Sequence, residues 1–155
     1  MKLSSSAQRR LIAVFSGGFC GTVARYLLST FMQAHLGKNW PYDIFFINLT
    51  GALLLAFFSR LAEETTLIGP TRRLFLNIGF LGAYTTFSSL ALGDVLLFNG
   101  GQWLPALLYL LLSMGGGVLA TMSGDWLGLW LTGRSRIRKK AEREAEESCL
   151  LRGLS

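Results

Sequence analysis

Four long apolar stretches, at residues 11–32, 44–60, 74–98 and 104–131, take up most of this 155-residue chain. Crossing the hydrocarbon core of a bilayer takes roughly 20 helical residues. The second stretch, with 17 residues, reaches only the lower end of the usable range, and the other three exceed it. A soluble domain of this size has too little interior to hide four such segments, and 51% of the residues are apolar. The chain therefore reads as an all-α integral membrane protein. One domain of four transmembrane helices, residues 11–132, lies between an N-terminal segment (1–10) and a charged tail (133–155). A cleavable signal peptide is not expected, because the first stretch is too long for one, contains Arg25 and is followed by further spans.

The placement of charge sets a topology. An even number of spans puts the N-terminus, the 61–73 loop and the tail on one side. Those regions, with the adjoining Arg60, hold 13 of the 15 basic residues; the opposite side holds Lys38 alone, and Arg25 lies within the first span. The positive-inside rule then predicts a multi-pass protein of the plasma (inner) membrane with both termini cytoplasmic. The net charge of +6 is a consequence of topology, and no nucleic-acid partner is expected. The tail RSRIRKKAEREAEES (134–148) is predicted as a short helix or a disordered segment, with Lys140 and Arg143 spaced to pair with Glu144 and Glu147. A solvated tail is the expectation; contact of its basic start with anionic headgroups is the alternative. Cys20 and Cys149 read as free thiols. With His35 the only histidine, His-based metal clusters and catalytic triads are excluded.

What is unusual is the polarity inside the spans. In the first, Gly17 and Gly21 form a GxxxG face that lets another backbone approach closely, and Arg25 follows one turn along the same face. A charge at such depth costs roughly 2.5–3.5 kcal/mol. Arg25 either snorkels to the far interface or faces protein or a water-filled vestibule, and the second is the expectation. The second span carries Asn48, whose amide could glue helices together or donate two hydrogen bonds to an anion. The third contains GFLGAYTTFSSL (79–90), with two glycines and four hydroxyls. Hydroxyls at 85, 86, 88 and 89 point around most of a helix, so one packing face cannot use them all. A break in the helix is predicted, with those hydroxyls taking over freed backbone bonds. In the fourth span, Tyr109, Ser113, Gly117 and Thr121 recur every four residues as one polar stripe, compatible with small-residue helix packing nearby.

No carboxylate sits mid-span in the first three segments, and Asp94 and Asp125 lie near span ends. A proton-coupled exporter needs a central one. The groups at depth are a guanidinium, an amide, hydroxyls and aromatic edges, which together suit a small anion. Reading from residues alone reaches an anion pathway.

Three short elements carry a resemblance further. GGFCGTVARY (17–26), NLTG (48–51) and GAYTTFSS (82–89) resemble, in order, the first-, second- and third-span motifs of the CrcB/Fluc family of fluoride channels, over about residues 10–132. The resemblance implies an antiparallel dimer of four-helix subunits with a broken third helix and two narrow pores. It implies a structural, non-transported Na+ on the backbone carbonyls of Gly82 and Thr85, and a break permitted by the glycines. Fluoride would meet Asn48, the ring edge of Phe87, Ser88, Ser89 and the track Tyr109–Ser113–Thr121, with Arg25 concentrating anions in the vestibule. Two positions depart from the pattern: Leu90 stands where a second phenylalanine is frequent, and Gly117 where a hydroxyl would suit the stripe.

The activity implied is passive, selective export of fluoride from the cytoplasm, a detoxification, and not an enzymatic reaction. Donors must replace the hydration shell of the ion without holding it too tightly. The strong basic bias raises an alternative to the antiparallel homodimer, namely pairing with a separately encoded relative of inverted orientation. The competing function is a small multidrug-type exporter, also of four spans, which the missing carboxylate disfavours. A non-transporting assembly factor would leave the hydroxyls and Arg25 without a purpose.

Overall fold

The structure is a computed structural model that describes residues 4–37, 39–64 and 68–153, with side chains through Gly133. Lys2 and Lys38, and the side chains of the tail with its predicted ion pairs and Cys149, lie outside the described residues. The described chain is helical. Helix α1 spans Ser5–Leu36 and α2 spans Tyr42–Glu64. A short α3, Pro70–Arg73, leads into a π-helical stretch, Leu74–Leu81, and then α4, Gly82–Tyr84. Helices α5, Phe87–Asn99, and α6, Trp103–Gly153, complete it. Four stretches are long and apolar enough to cross a membrane: Ser5–Leu36, Tyr42–Glu64, Pro70–Asn99 and Trp103–Gly133.

The helices outrun the apolar stretches that the sequence marks. Helix α2 has 23 residues rather than 17, because the charge of Arg60 does not end it. Arg60 Nε and Nη2 donate to Asp125 Oδ1 and Oδ2 of α6 at 2.8 and 3.1 Å, so the guanidinium is accommodated against the neighbouring span. Asp125 is 45% exposed, so water screens the pair. A double-mutant cycle with Arg60→Gln and Asp125→Asn is expected to show weak coupling in thermal unfolding, the two single losses nearly adding. Helix α1 starts six residues before Leu11, in a sequence of good helix formers, and the helical backbone of α6 continues through the Arg-, Lys-, Glu- and Ala-rich tail to Gly153. Two glycines end helices with left-handed backbone, Gly37 after α1 (φ 78°) and Gly101 after α5 (φ 73°).

Packing is pairwise, α1 along the π-helical stretch and α2 along α6. Glycines set both contacts. A methyl group on Gly17 or Gly21 would collide with Phe75 O or Phe80 O, and one on Gly124 with Leu53 O. Two small cores result. Ile47, Leu81 and Tyr84 are buried together, with Leu28, Leu54, Phe58 and Phe80 around them. Leu90, Leu97, Ala106 and Tyr109 form the other, with Trp40, Ile44 and Phe45. Large apolar side chains elsewhere are exposed, including Phe15 (77%), Phe19 (67%) and Leu119 (66%). A bilayer or a partner subunit is the natural cover for such surface.

Candidate ion site at the interruption of the third span

Between the two cores the third span leaves helical geometry for two residues. Thr85 has φ −77°, ψ 155° and Thr86 has φ −152°, ψ 124°, both extended. Helix α5 then starts at Phe87 with Thr86 as its cap, the Thr86 hydroxyl accepting from Ser89 N at 3.2 Å. Asn48 of α2 grips the same residue from the side. Its Nδ2 donates to Thr86 O and its Oδ1 accepts from Thr86 N, each at 2.8 Å.

These bonds have a consequence for the carbonyls upstream. In a continuous α-helix the amide of residue 86 would serve the carbonyl of Gly82, and the amide of residue 89 that of Thr85. Here Thr86 N goes to Asn48 and Ser89 N to Thr86 Oγ1. Gly82 O and Thr85 O therefore lose their helical partners three residues apart. Arg25 of α1 reaches this point, with Nη1 3.4 Å from Thr85 O, so a cationic donor already leans on one of the two freed oxygens.

Hydroxyls ring the same place. Thr85 Oγ1 donates to Leu81 O at 3.0 Å, and Thr86 Oγ1 lies 3.2 Å from Ser88 Oγ and 3.1 Å from Ser89 Oγ. Ser88 and Ser89 sit in the first turn of α5, where the helix dipole favours negative charge. The Phe87 ring beside them is 71% exposed. Gly51 of the NLTG element lies against this turn, since a methyl group there would strike Thr85 Cγ2.

The residues singled out from sequence are thus partly gathered. Arg25, Asn48, Thr85, Ser88 and Ser89 meet around Thr86, with Gly82 one turn before. The polar stripe of α6 stands apart, and no hydrogen bond among the described residues joins it to this group. Tyr109 is fully buried beside Leu90, with its ring 5.1 Å from Trp40 in an edge-on contact. Its hydroxyl and Ser113 Oγ are buried with no partner among the described residues. Thr121 is exposed, and its Oγ1 donates to Gly117 O at 2.9 Å.

Two expectations need correction. Asn48 does not have both amide hydrogens available for an anion, because one is committed to Thr86 O. The glycines also do not make the interruption by backbone freedom. Gly82 has helical dihedrals (φ −64°, ψ −33°), and a methyl group there would come no closer than 3.7 Å to Asn77 O. The extended residues are two threonines in a region open to every L-residue. Gly79 serves close packing instead, since its missing Cβ would lie 2.7 Å from Val14 O.

Sequence reasoning missed several features. The π-helical turn has no evident signal. The role of Thr86 as cap was available from a threonine three residues before Ser89. Asp43, in the first turn of α2, is 5% exposed and accepts from Ser29 Oγ and from Gln33 Nε2, the latter at 2.8 Å. This carboxylate ties the end of α1 to the start of α2, near a span end rather than mid-span.

Fold and site together define a multi-pass membrane protein of four spanning-capable helices, with its polar groups gathered at depth around one interruption. Residues 12–125 match the family model described as CrcB-like protein, Camphor Resistance (CrcB). Named relatives agree. The "Fluoride-specific ion channel FluC" of Chlorobium chlorochromatii is 41% identical over 123 residues, covering 79% of this chain and 95% of that protein. The "Fluoride-specific ion channel FluC" of Rhizobium meliloti is 35% identical over 114 residues, 74% of this chain and 91% of its own length. "Fluoride-specific ion channel FluC 1" of Moorella thermoacetica is 39% identical over 111 residues, 72% and 79% of the two chains. The chain belongs to the CrcB family.

Proposed function

We propose that this chain forms a fluoride-selective channel that lets fluoride leave the cytoplasm passively, across the plasma membrane, and so limits its toxicity. The observation that carries the reading is the cluster at Thr86, where a guanidinium, hydroxyls, a helix N-terminus and an exposed phenyl ring meet within a membrane span. Relatives of 35–41% identity bear the name of fluoride-specific channels, which supplies the ion. No bond is made or broken in this activity. At a negative-inside potential, anion flow is outward.

In this reading, Arg25 concentrates anions at the vestibule. Ser88, Ser89, the remaining Asn48 hydrogen and the Phe87 edge replace water around fluoride. Tyr109, Ser113 and Thr121 continue the track, and the hydroxyls of Tyr109 and Ser113, without a partner among the described residues, are donors free to meet an ion. A hydroxyl that lacks a protein partner loses little by turning to a passing ion. The arrangement is an antiparallel dimer with both termini of this subunit cytoplasmic, built from two copies or from this chain and an inverted relative.

A structural Na+ fits the freed carbonyls. Gly82 O and Thr85 O are hard oxygen donors without helical partners, the donor type that suits a hard cation. Contributed from both subunits, these carbonyls would hold the ion on the two-fold axis and tie the two interrupted spans together.

Liposomes loaded with potassium fluoride and reconstituted with this chain alone test the proposal. With valinomycin present, fluoride release within seconds by ion-selective electrode is expected, while chloride-loaded vesicles stay silent. Equal release of both anions, or silence from folded protein with and without an inverted relative, would overturn it.

A further inference from the structure

A second feature lies at the opposite end of the third span from Gly101. A groove of about 480 Å³ runs between the start of α1 and the start of the third span, lined by Arg10, Ile68, Pro70, Arg73, Leu74 and Ile78. We propose that it binds an anionic phospholipid, the phosphate between Arg10 and Arg73 and one acyl chain over Leu74 and Ile78.

The chemistry of the lining carries this. Two guanidinium groups from different helices are among the groove's lining. Arg10 has no ion-pair partner among the described residues, and Arg73 has only Glu63, at 3.8 Å and half exposed. Guanidinium forks match phosphate oxygens in geometry as well as charge. Below them the wall turns wholly apolar, and Ile78 is 59% exposed. Charge above and hydrocarbon below, one turn apart, is the layout of a phospholipid at an interface. It also falls at the end of the spans where basic residues collect. A second copy of the chain is the poorer occupant. Among the described residues, Glu63, Glu64 and Asp125 at this end of the spans are already engaged by Arg60 and Arg73. An antiparallel copy would bring its opposite end, where Asp43 is held by Ser29 and Gln33 and Asp94 Oδ1 is buried. A free phosphate would satisfy the arginines and leave the apolar wall bare.

The test is independent of channel activity. The full chain in a neutral detergent is titrated with phosphatidylglycerol, phosphatidylcholine or glycerol 3-phosphate while the thermal unfolding midpoint is followed. Phosphatidylglycerol is expected to raise the midpoint, and the other two to leave it in place. Arg10→Gln with Arg73→Gln should weaken phosphatidylglycerol about twenty-fivefold, two losses of about fivefold each from direct guanidinium–phosphate bonds. A charge-matched control, Arg9→Gln with Arg138→Gln, removes only diffuse, screened attraction and should change it less than about threefold. Equal response to both lipids, or equal loss in the control, would sink the proposal and leave only diffuse attraction to anionic lipid. A response to glycerol 3-phosphate would replace it by a free-anion site. Self-association abolished by the Arg10 and Arg73 changes would replace it by a subunit interface.

Discussion

Fluoride efflux should fall by up to about a hundredfold when Asn48 is replaced by leucine, a residue of similar volume that cannot hydrogen-bond. The size of the effect follows from what Asn48 holds. Its amide makes two bonds to Thr86, one through each end. A net bond is worth about 1 kcal/mol, and a buried backbone group left unpaired costs about 1–3 kcal/mol more. The wild-type arrangement competes with a continuous helix, in which Thr86 N would return to Gly82 O. Withdrawing Asn48 thus shifts the balance by about 3 kcal/mol toward the closed helix, roughly a hundredfold in the ratio of interrupted to continuous helix. That shift recaptures the Gly82 carbonyl and removes the donors of Thr86, Ser88 and Ser89 from their positions together. Asn48→Asp should lose efflux whether Asn48 acts as this clamp or as a simple anion ligand. It keeps an acceptor for Thr86 N, sets a carboxylate against Thr86 O and repels fluoride. Amide exchange at Thr86 decides the matter. Slowed exchange in Asn48→Leu alongside lost efflux supports the clamp, whereas lost efflux with unchanged exchange would leave Asn48 as an anion ligand only.

The parts of this arrangement that sequence made legible share one property: each breaks a rule of its surroundings. Arg25 and Asn48 are polar at membrane depth, and four hydroxyls crowd the stretch 85–89. Such residues are costly unless something uses them, so they mark the place on inspection. The four spans were legible for the converse reason, as long runs obeying one rule. What stayed hidden were relations between elements. No local pattern says that Asn48 will take the amide of a residue 38 positions away, or that Arg60 will meet Asp125 across 65. The role of the glycines was misread in the same way. Gly79 and Gly82 look alike in sequence, as helix-loosening residues. Only the neighbour decides that a methyl group at 79 would meet α1 while one at 82 would have room.

The same logic makes the first span a sharper test of the packing than any part of the pore. Gly17, Gly18 and Gly21 sit within one and a half turns of α1, and the GxxxG spacing puts Gly17 and Gly21, but not Gly18, on one packing face. Their surroundings differ. A methyl group on Gly21 would run into Phe80 O, while one on Gly18 comes no closer than 4.0 Å to Gly79 O. Backbone on both sides of the Gly21 contact leaves nothing flexible to give way, so the strain belongs at or above the top of the usual overpacking range of about 1–3 kcal/mol. Gly21→Ala is therefore expected to lower stability by about 3 kcal/mol, and Gly21→Val to prevent accumulation of folded protein. Gly18→Ala carries the identical chemical change three residues away and gains helix propensity worth up to about 1 kcal/mol. It is expected to be neutral or stabilising. Thermal unfolding in detergent compares them directly. Equal losses at 18 and 21 would mean that α1 does not present the 17–21 face to the π-helical stretch. A loss confined to 21 fixes that contact, and with it the backbone on which Arg25, one turn further along α1, is carried to Thr85.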